Sequence, residues 1–305
     1  MSAIQHRAVG DGTWINWDLT SLSPDVNAAS DACLVFINAI ATEGWDRDGL
    51  HDDPSDGLVL HVASRCANTI VIIHAAGIRL VDQWIEHPNI TAAVIAHLPG
   101  QDSGTALVKL LHGEANFSGK LPYTLAKNES DYAPYKPCGR ANESDTSPQC
   151  DFTEGVYLDY RAFDAHNITP RYEFGYGLSY TTFEYTNLTI KPLNVTESSC
   201  SSQDLWSTAA HVEVKISNTG DAAGAEVVQL YIGIPNSPPR QLRGFEKLML
   251  QPGEASTVQF EITRRDMAIW DVVTQAWAVQ EGDYPVLVGA SSRDVRLNGT
   301  IIVAN

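Results

Sequence analysis

Five side chains with the chemistry of a catalytic or ligand-binding site lie at or just beyond the ends of apolar runs. They are Glu43, Trp45, Asp46, His74 and His97. Carboxyl groups and imidazoles can give or take a proton, and an indole offers a flat apolar face. Carboxylates beside an aromatic face suit a sugar, whose apolar face stacks while its hydroxyl groups form hydrogen bonds. The pattern therefore predicts a polar rim with a stacking platform.

The apolar runs that carry these residues alternate with segments of helical spacing. The predicted strands are 33–39, 69–75 and 91–98. The predicted helices are 55–66 with Ser55 as N-cap, 78–87 ending before Pro88, and 103–113 between Ser103 and Gly113. Alternation of this kind with apolar strands predicts a parallel sheet covered on both faces. Ligands of such sheets bind at the carboxyl ends of the strands, and the five residues lie at or just beyond those ends.

Structural roles explain the same residues as well. His74 and His97 could be strand-end histidines that only complete the local hydrogen bonding. Four aspartates of the first loop could be solvated, cap the next helix or bind calcium. They are Asp46, Asp48, Asp52 and Asp53. These aspartates do not fit the EF-hand pattern, which requires Gly at its sixth position and Glu at its twelfth. Counting from Asp46, Gly49 is fourth and Gly57 is twelfth. We predict no metal site and no cofactor.

Asparagine sequons indicate the compartment. Eight of the 15 asparagines begin Asn-x-Ser/Thr, the acceptor pattern for N-glycans. They are Asn89, Asn116, Asn128, Asn142, Asn167, Asn187, Asn194 and Asn298. Such an excess favours a secreted glycoprotein. The first 14 residues have neither the basic nor the apolar part of a signal peptide, so we expect the natural start to lie upstream.

The five cysteines cannot all pair with one another. Cys138 and Cys150 flank a polar stretch and form the expected disulfide, whereas Cys33 and Cys66 adjoin apolar runs and are expected to be buried thiols. No spacing involving these residues or Cys200 resembles a zinc site.

The charge balance limits the possible partners. Twenty Lys and Arg against 37 Asp and Glu give a net charge of −17, which disfavours nucleic acid and anionic lipid. No apolar run approaches the roughly 20 residues of a membrane-spanning helix. We therefore expect neutral or cationic partners, and neither nucleic acid nor membrane.

The second half of the chain has a different pattern. From Phe183 onward, short alternating runs are separated by turns and predict a β-sandwich. Those runs are 211–217, 226–234, 241–250, 256–262, 284–290 and 295–303. The predicted organisation is a lead-in at 1–30, an α/β domain at 31–126, a connecting segment with the cysteine loop at 127–182, and the β-sandwich at 183–305.

Long segments of the sequence resemble the C-terminal half of family-three glycoside hydrolases, and in particular secreted fungal β-glucosidases. The matching segments include LVFINAIATEGWDRDGL, NTIVIIHAAG, HLPGQDSGTALVKLLHGEANFSGKLPYT, EGVYLDYRAFDAHNITPRYEFGYGLSY and GFEKLMLQPGEASTVQFEITRRDMAIW. The resemblance implies an α/β sandwich domain with a mostly parallel sheet, incomplete at its N-terminal edge. A fibronectin type III-like β-sandwich would follow it.

The resemblance also implies a retaining mechanism on a β-glucoside or cello-oligosaccharide. Glu43 takes the place of the family's acid/base, and Trp45 that of a nearby aromatic residue that could form a subsite wall. The loop departs from the family pattern, with Ile40, Ala41 and Thr42 where related enzymes have Asp-Ser-Gly. The family's nucleophile is an aspartate of an N-terminal barrel, which has no counterpart in this chain.

Three hypotheses follow from that difference. The chain could be part of a β-glucosidase that is inactive without its barrel, the barrel being joined in the same chain. It could be completed by a separate barrel chain. Alternatively, it could be a non-catalytic module that binds glycans or proteins through the rim near Trp45 or through the β-sandwich.

Overall fold

The computed structural model describes residues 1–44, 47–132, 151–193, 198–199 and 204–304. The chain divides into two compact units. The first unit consists of Met1–Ala115 and Leu125–Tyr132, and the second of Asn116–Thr124 and Ala133–Asn305. In the part of the chain that the structure describes, no helix has the length and apolar character needed to cross a membrane.

The first unit contains a three-stranded parallel sheet, with one of its described helices between the first two strands and the others before and after the sheet. Its elements are α1 (Ser2–Asp11), β1 (Cys33–Ala39), α2 (Asp53–Ala63), β2 (Thr69–Ala75), β3 (Ile90–Ile95), α3 (Ser103–Leu111) and a 3₁₀ turn at Glu129–Tyr132. The strand order is β1-β2-β3, and Cys33 pairs with Thr69 while Ile73 pairs with Ile95. The predicted α/β fold with a parallel sheet is confirmed.

Burial of this sheet differs from strand to strand. The central strand β2 is almost completely buried, in keeping with its run of β-branched residues. By contrast, Phe36 of β1 is 43% exposed, and Ala92 and Ala93 of β3 are also exposed. The prediction of a sheet covered on both faces is therefore wrong for β1 and β3 within the residues described.

The N-terminus of α2 lies earlier than the sequence pattern suggested. The N-cap is Asp52, whose carboxylate accepts a hydrogen bond from the Ser55 amide at 3.0 Å, so the prediction of Ser55 as N-cap is wrong. A carboxylate at this position satisfies a free N–H and interacts favourably with the helix dipole. Pro54 in the first turn fits the same assignment, because no intrahelical hydrogen bond needs its missing N–H.

The segment 78–87 forms turns and not the predicted helix. The Val81 carbonyl accepts from the amides of both Trp84 and Ile85, and the Leu80 amide donates to the Leu50 carbonyl across to another loop. Trp84 is fully buried. Burial of this side chain, followed closely by Pro88, favours a compact turn over the helix that local spacing suggested.

Cys33 and Cys66 form a disulfide, so the prediction of two buried thiols is wrong. The bridge has a Cα–Cα distance of 6.4 Å and joins the start of β1 to the turn after α2. The pair predicted instead, Cys138 and Cys150, lies outside the described residues.

The second unit is a β-sandwich preceded by a short helix. Its elements are α4 (Tyr160–Ala165), β4 (Phe183–Pro192), β5 (Ser198–Ser199), a 3₁₀ turn at Asp204–Trp206, β6 (Thr208–Asn218), β7 (Gly224–Ile232), β8 (Gln241–Leu250), β9 (Ala255–Thr263), α5 (Arg264–Met267), β10 (Ile269–Asp271), β11 (Ala276–Val279), β12 (Gly282–Gly289) and β13 (Val295–Val303). All strand pairs in this unit are antiparallel. The predicted β-sandwich is confirmed.

Two sheets of the second unit enclose one apolar core. One has the order β4-β6-β9 and the other β13-β12-β7-β8, with a smaller sheet β10-β11-β5 beside them. The core includes the fully buried residues Val212 and Ile216 of β6 and Leu230 and Ile232 of β7. Alternate positions along β6 are buried, as expected for a strand with one face on the core.

The aromatic segment at 172–180 is fixed by backbone hydrogen bonds on both sides. The Leu121 amide donates to the Tyr176 carbonyl, and the Gly175 amide donates to the Leu121 carbonyl, both at 2.8 Å. Tyr172 and Tyr176 stack with ring centres 5.0 Å apart. The Gln229 side chain also donates to the Gly175 carbonyl at 3.0 Å, which ties the segment to β7.

Candidate functional site

The strand register brings three chain segments together at the carboxyl edge of the sheet in the first unit. His74 is the penultimate residue of β2 and pairs with Asn38 of β1. On the other side, the Ala96 amide donates to the Ile73 carbonyl at 2.8 Å, which carries the chain after β3 along the same edge. The exits of all three strands are therefore adjacent, as parallel topology requires.

Glu43 lies in the turn that follows β1, and its side chain is exposed. Gly44, the next residue, has φ +79°, a left-handed conformation that residues with side chains rarely adopt. An exposed carboxyl group held at a turn can exchange a proton with a bound ligand.

The other predicted rim residues are only partly described. His74 and His97 are both half-buried, and His97 has φ +51°, so the chain turns at that residue just beyond β3. Trp45 and Asp46 lie outside the described residues.

Three hydrogen bonds hold the part of the loop after Asp46. Arg47 Nη1 donates to the Ile78 carbonyl at 3.0 Å, and the Leu50 amide donates to Glu129 Oε2 at 3.1 Å. The Leu50 carbonyl in turn accepts from the Leu80 amide at 2.8 Å. Arg47 and Glu129 were not predicted from the sequence, and no spacing rule could have found Glu129, because it lies 79 residues from Leu50.

A buried ion pair also stabilises these loops. Asp56 Oδ1 accepts from Arg79 Nη2 at 2.7 Å and from Trp84 Nε1 at 2.8 Å. The side chains of Asp56 and Arg79 are 6% and 2% exposed. Arg79 Nη1 also donates to the Leu80 carbonyl at 2.7 Å, so the pair fixes the turn segment against the first turn of α2.

Three potential metal ligands meet at the start of α2. Ligand atoms of His51, Asp53 and Asp56 lie within 4.8 Å of one another. Asp56 already accepts hydrogen bonds from Arg79 and Trp84, and an acidic residue at Asp53 stabilises the helix N-terminus. These interactions explain the group without an ion, and we assign it no metal.

The predicted sequons divide into two classes. Four asparagines are exposed. They are Asn128, Asn167, Asn187 and Asn298. Asn89 and Asn116 are half-buried, and their amides donate to the carbonyls of Ala63 and Ala223 at 2.8 and 2.9 Å. Asn142 and Asn194 lie outside the described residues.

An open cavity of about 330 Å³ lies in the second unit. Its lining residues are Thr153, Glu154, Tyr157, Ala165 and His166. None of the described residues predicted for the site lines this cavity, and we assign the cavity no role at the rim.

Comparison with protein families gives two matches along the chain. The model described as "Glycosyl hydrolase family 3 C-terminal domain" matches residues 3–180, which is more than half of the chain. The model described as "Fibronectin type III-like domain" matches residues 226–292.

Individual relatives cover almost the whole chain. Beta-glucosidase cel3A of Pyricularia oryzae is 66% identical over 303 residues, which are 99% of this chain and 40% of that protein. Probable beta-glucosidase M of Aspergillus niger is 54% identical over 98% of this chain and 40% of its own length. The crystal structure of beta-D-glucoside glucohydrolase from Trichoderma reesei superposes with a TM-score of 0.90 at 40% identity, over 99% of this chain and 44% of that one. The chain thus spans about two fifths of the length of the curated relatives it matches.

Proposed function

We propose, because the chain belongs to glycosyl hydrolase family 3, that it carries the acid/base half of a retaining β-glucosidase site and that Glu43 is the acid/base. The observation that carries this proposal is the position of Glu43. It is an exposed carboxyl group one turn beyond the carboxyl end of β1, within the region matched by the family model. Relatives that match nearly the full chain are named beta-glucosidases.

The proposed chemistry has two steps. In the first, the Glu43 carboxyl group protonates the glycosidic oxygen while a nucleophilic carboxylate attacks the anomeric carbon and the leaving group departs. In the second, the Glu43 carboxylate takes a proton from water, whose oxygen attacks the same carbon and releases the nucleophile. Net retention of configuration follows from the two successive inversions.

The remaining rim residues are proposed to bind the sugar. Trp45 would offer a stacking face, while Asp46, His74 and His97 would form hydrogen bonds to hydroxyl groups. The half-buried positions of His74 and His97 support this assignment, because each can keep one ring nitrogen on the protein and turn the other toward a ligand. The proposed substrates are β-glucosides and cello-oligosaccharides.

The nucleophile is proposed to come from a barrel outside these 305 residues, joined in the same chain or supplied by another. Exposed apolar side chains at the sheet support a docking partner there. Phe36, Ile40 and Leu98 are 43%, 77% and 69% exposed, and all lie on or just beyond β1 and β3. Large apolar side chains exposed on a sheet are typical of an interaction surface.

The proposed compartment is the secretory pathway, supported by the exposed sequons and by the Cys33–Cys66 disulfide. Disulfides persist in oxidising compartments, and N-glycans are added to chains that pass through them. We also propose that the domain boundaries at residues 31, 127 and 183 mark the functional organisation of the chain.

Activity measurements test the proposal. The purified chain alone should not hydrolyse 4-nitrophenyl β-D-glucoside, because a general acid without a nucleophile opposite it gives little rate acceleration. Co-expression with the part of the Pyricularia oryzae relative that this chain does not cover should restore hydrolysis. In that complex Glu43→Gln should lower kcat by about 10²–10⁴-fold, which is the usual contribution of general acid–base catalysis.

Glu114→Gln is the matched control, because Glu114 is also an exposed glutamate of the first unit. Its carboxylate pairs with Arg7, which is not a residue of the rim. It should leave kcat unchanged. Full activity of the Glu43→Gln complex would overturn the assignment of the acid/base. Hydrolysis by the chain alone that Glu43→Gln abolishes would instead overturn the requirement for a barrel.

A further inference from the structure

We propose that N-glycans on Asn187 and Asn298 shield the two edge strands on one flank of the β-sandwich and prevent them from pairing with other strands. The inference rests on the proposed passage through the secretory pathway and is otherwise independent of the glucosidase assignment. It gives two of the exposed sequons a defined structural purpose.

The two asparagines lie on the outermost strands of different sheets. Asn187 belongs to β4, the edge of the sheet β4-β6-β9, and Asn298 belongs to β13, the edge of β13-β12-β7-β8. Within the described ranges, neither strand has a second hydrogen-bonded neighbour on its outer side. A free edge presents unpaired N–H and C=O groups that can template association with another chain.

These two edges face the same flank of the sandwich. A Cβ added to Gly299 of β13 would lie 2.5 Å from Ile190 Cδ1 of β4, so the strands are in direct contact there. The Arg296 guanidinium of β13 also lies 5.9 Å from the centre of the Tyr185 ring of β4. The free edges are therefore neighbours, and one incoming strand could meet either of them.

Ordinary charge protection is missing from the middle of both edges. The stretch LNGTIIVA at 297–304 and the stretch YTNLTI at 185–190 contain no charged residue and no proline. Uncharged segments rich in β-branched residues are prone to strand association when they are exposed on an edge. Ile302 of β13 is 70% exposed, which adds an apolar contact to that hazard.

Each sequon lies inside one of these uncharged stretches. Asn187 and Asn298 are exposed, as are Thr189 and Thr300, which complete the two sequons. Asn187 also has φ +55° at a bulge, which projects it from the regular strand. A bulky hydrophilic glycan at either asparagine would cover the segment that lacks charge.

The half-buried sequons provide the internal contrast. Asn89 and Asn116 use their side-chain amides to donate to backbone carbonyls, so these two serve the fold. We therefore expect peptide mapping of the secreted chain to find glycans at Asn187 and Asn298.

Substitution at the threonines tests the role of the glycans without removing the asparagines. Thr189→Ala combined with Thr300→Ala abolishes both sequons but keeps Asn187 at its bulge, whereas Thr189→Ser with Thr300→Ser preserves both sequons. The control variant removes two other exposed sequons, those of Asn128 and Asn167, through Ser130→Ala and Thr169→Ala. All four forms would be secreted from a yeast and studied by sedimentation velocity over a range of concentrations.

The expected result is self-association of the Thr189→Ala, Thr300→Ala form alone, with its mass rising to that of a dimer or larger. The native chain, the serine form and the Ser130→Ala, Thr169→Ala form should remain monomeric. Unoccupied Asn187 and Asn298 beside occupied Asn128 and Asn167 would overturn the inference but leave secretion intact. Equal association of both alanine forms, or of neither, would also overturn it.

Discussion

A single buried carboxylate, Asp56, links the helix side of the first unit to the loops at the candidate site. Its Oδ1 accepts from Arg79 and Trp84, and these residues belong to the turn segment after β2. That segment also holds the loop after β1, through Ile78 and Leu80. One residue therefore stabilises the surroundings of Glu43 without reaching the rim.

We expect Asp56→Ala to lower the free energy of unfolding by about 3–5 kcal/mol, because it leaves the Arg79 guanidinium charged, buried and unpaired. Urea denaturation followed by circular dichroism measures the change. The double substitution Asp56→Leu with Arg79→Met should cost less than Asp56→Ala, since no uncompensated charge remains. A double variant less stable than the single one would contradict this explanation.

The exposed pair Lys191 and Glu213 is the control for that measurement. Its nitrogen and oxygen lie 3.2 Å apart, but the side chains are 57% and 30% exposed. Lys191→Ala should change stability by no more than about 1 kcal/mol, because solvent screens surface ion pairs. A larger loss would mean that charge removal alone, and not burial, explains the effect at Asp56.

Among individual residues, the roles of the rim residues stay a prediction, while some side chains that hold the loops were missed. Glu43, His74 and His97 were predicted because they follow apolar runs in a parallel pattern, and the register does bring those strand ends together. Arg79 and Glu129 were missed because their partners are distant in sequence, at 23 and 79 residues. Such pairs depend on packing that local spacing does not encode.

Among the elements, the Cys33–Cys66 bridge is the clearest case for a stability measurement. It closes a loop with a sequence separation of 33 residues around α2. Loop-closure entropy of that length predicts about 3–4 kcal/mol of stabilisation. Replacing both cysteines by alanine should therefore lower the free energy of unfolding by that amount.

Labelling with iodoacetamide in denaturant, before and after reduction, gives the matching chemical test. Cys33 and Cys66 should be labelled only after reduction. Labelling of both before reduction would show that they are thiols, as their apolar sequence neighbours predicted.

Gly175 offers a second stability measurement, because this residue holds the aromatic segment at 172–180 against β7. It has φ +82°, and an added Cβ would lie 2.1 Å from Gln229 Oε1. We expect Gly175→Ala to cost at least about 2 kcal/mol, since it adds overlap with a buried hydrogen-bonded side chain to backbone strain. Gly253→Ala shares the positive φ, at +76°, with open space around it, and should cost about 1 kcal/mol.

Thermal unfolding of the two glycine variants would separate strain from packing. Equal losses would contradict the role given to the contact with Gln229, whose side chain also donates to the Gly175 carbonyl.

Sequence predicted the strands of both units more reliably than the helices. Strand patterns such as 241–250 and 295–303 match the observed elements because strict alternation and turn residues define them locally. The segment 78–87 failed because its amphipathic spacing also fits a turn that buries Trp84. Periodicity alone cannot distinguish two local structures when burial in the tertiary structure decides between them.

For the whole molecule, the two units have different sources of stability. The first depends on a small parallel sheet, a disulfide and a buried ion pair. The second has a continuous apolar core between its two large sheets. The second unit also contains tyrosines that are largely shielded from solvent, so its stability should respond to alkaline pH.

Burial raises the pKa of Tyr160, Tyr185 and Tyr231 above the ordinary value, because the phenolate would lose its hydration. The nearby Glu226 carboxylate raises the pKa of Tyr185 further. Tyr231 donates to Gln229 Oε1 at 2.6 Å, and the Tyr160 hydroxyl accepts from the Leu242 amide at 2.9 Å.

The linkage between ionisation and folding gives the sign of the alkaline effect. Below pH 10 both the native and the unfolded chain keep these protons, so the three tyrosines add no pH dependence there. Above pH 10 the unfolded chain releases the protons of Tyr185 and Tyr231 while the native chain keeps them, so the free energy of unfolding should fall by about 2.7 kcal/mol per pH unit for these two groups. Tyr231→Phe should reduce the slope from these two groups by about half, while costing roughly 1 kcal/mol at neutral pH through the lost hydrogen bond. Urea denaturation between pH 9 and 12, with phenolate absorbance recorded alongside, measures both. An unchanged slope in Tyr231→Phe would contradict the assignment, because the protons released on unfolding would then come from other groups.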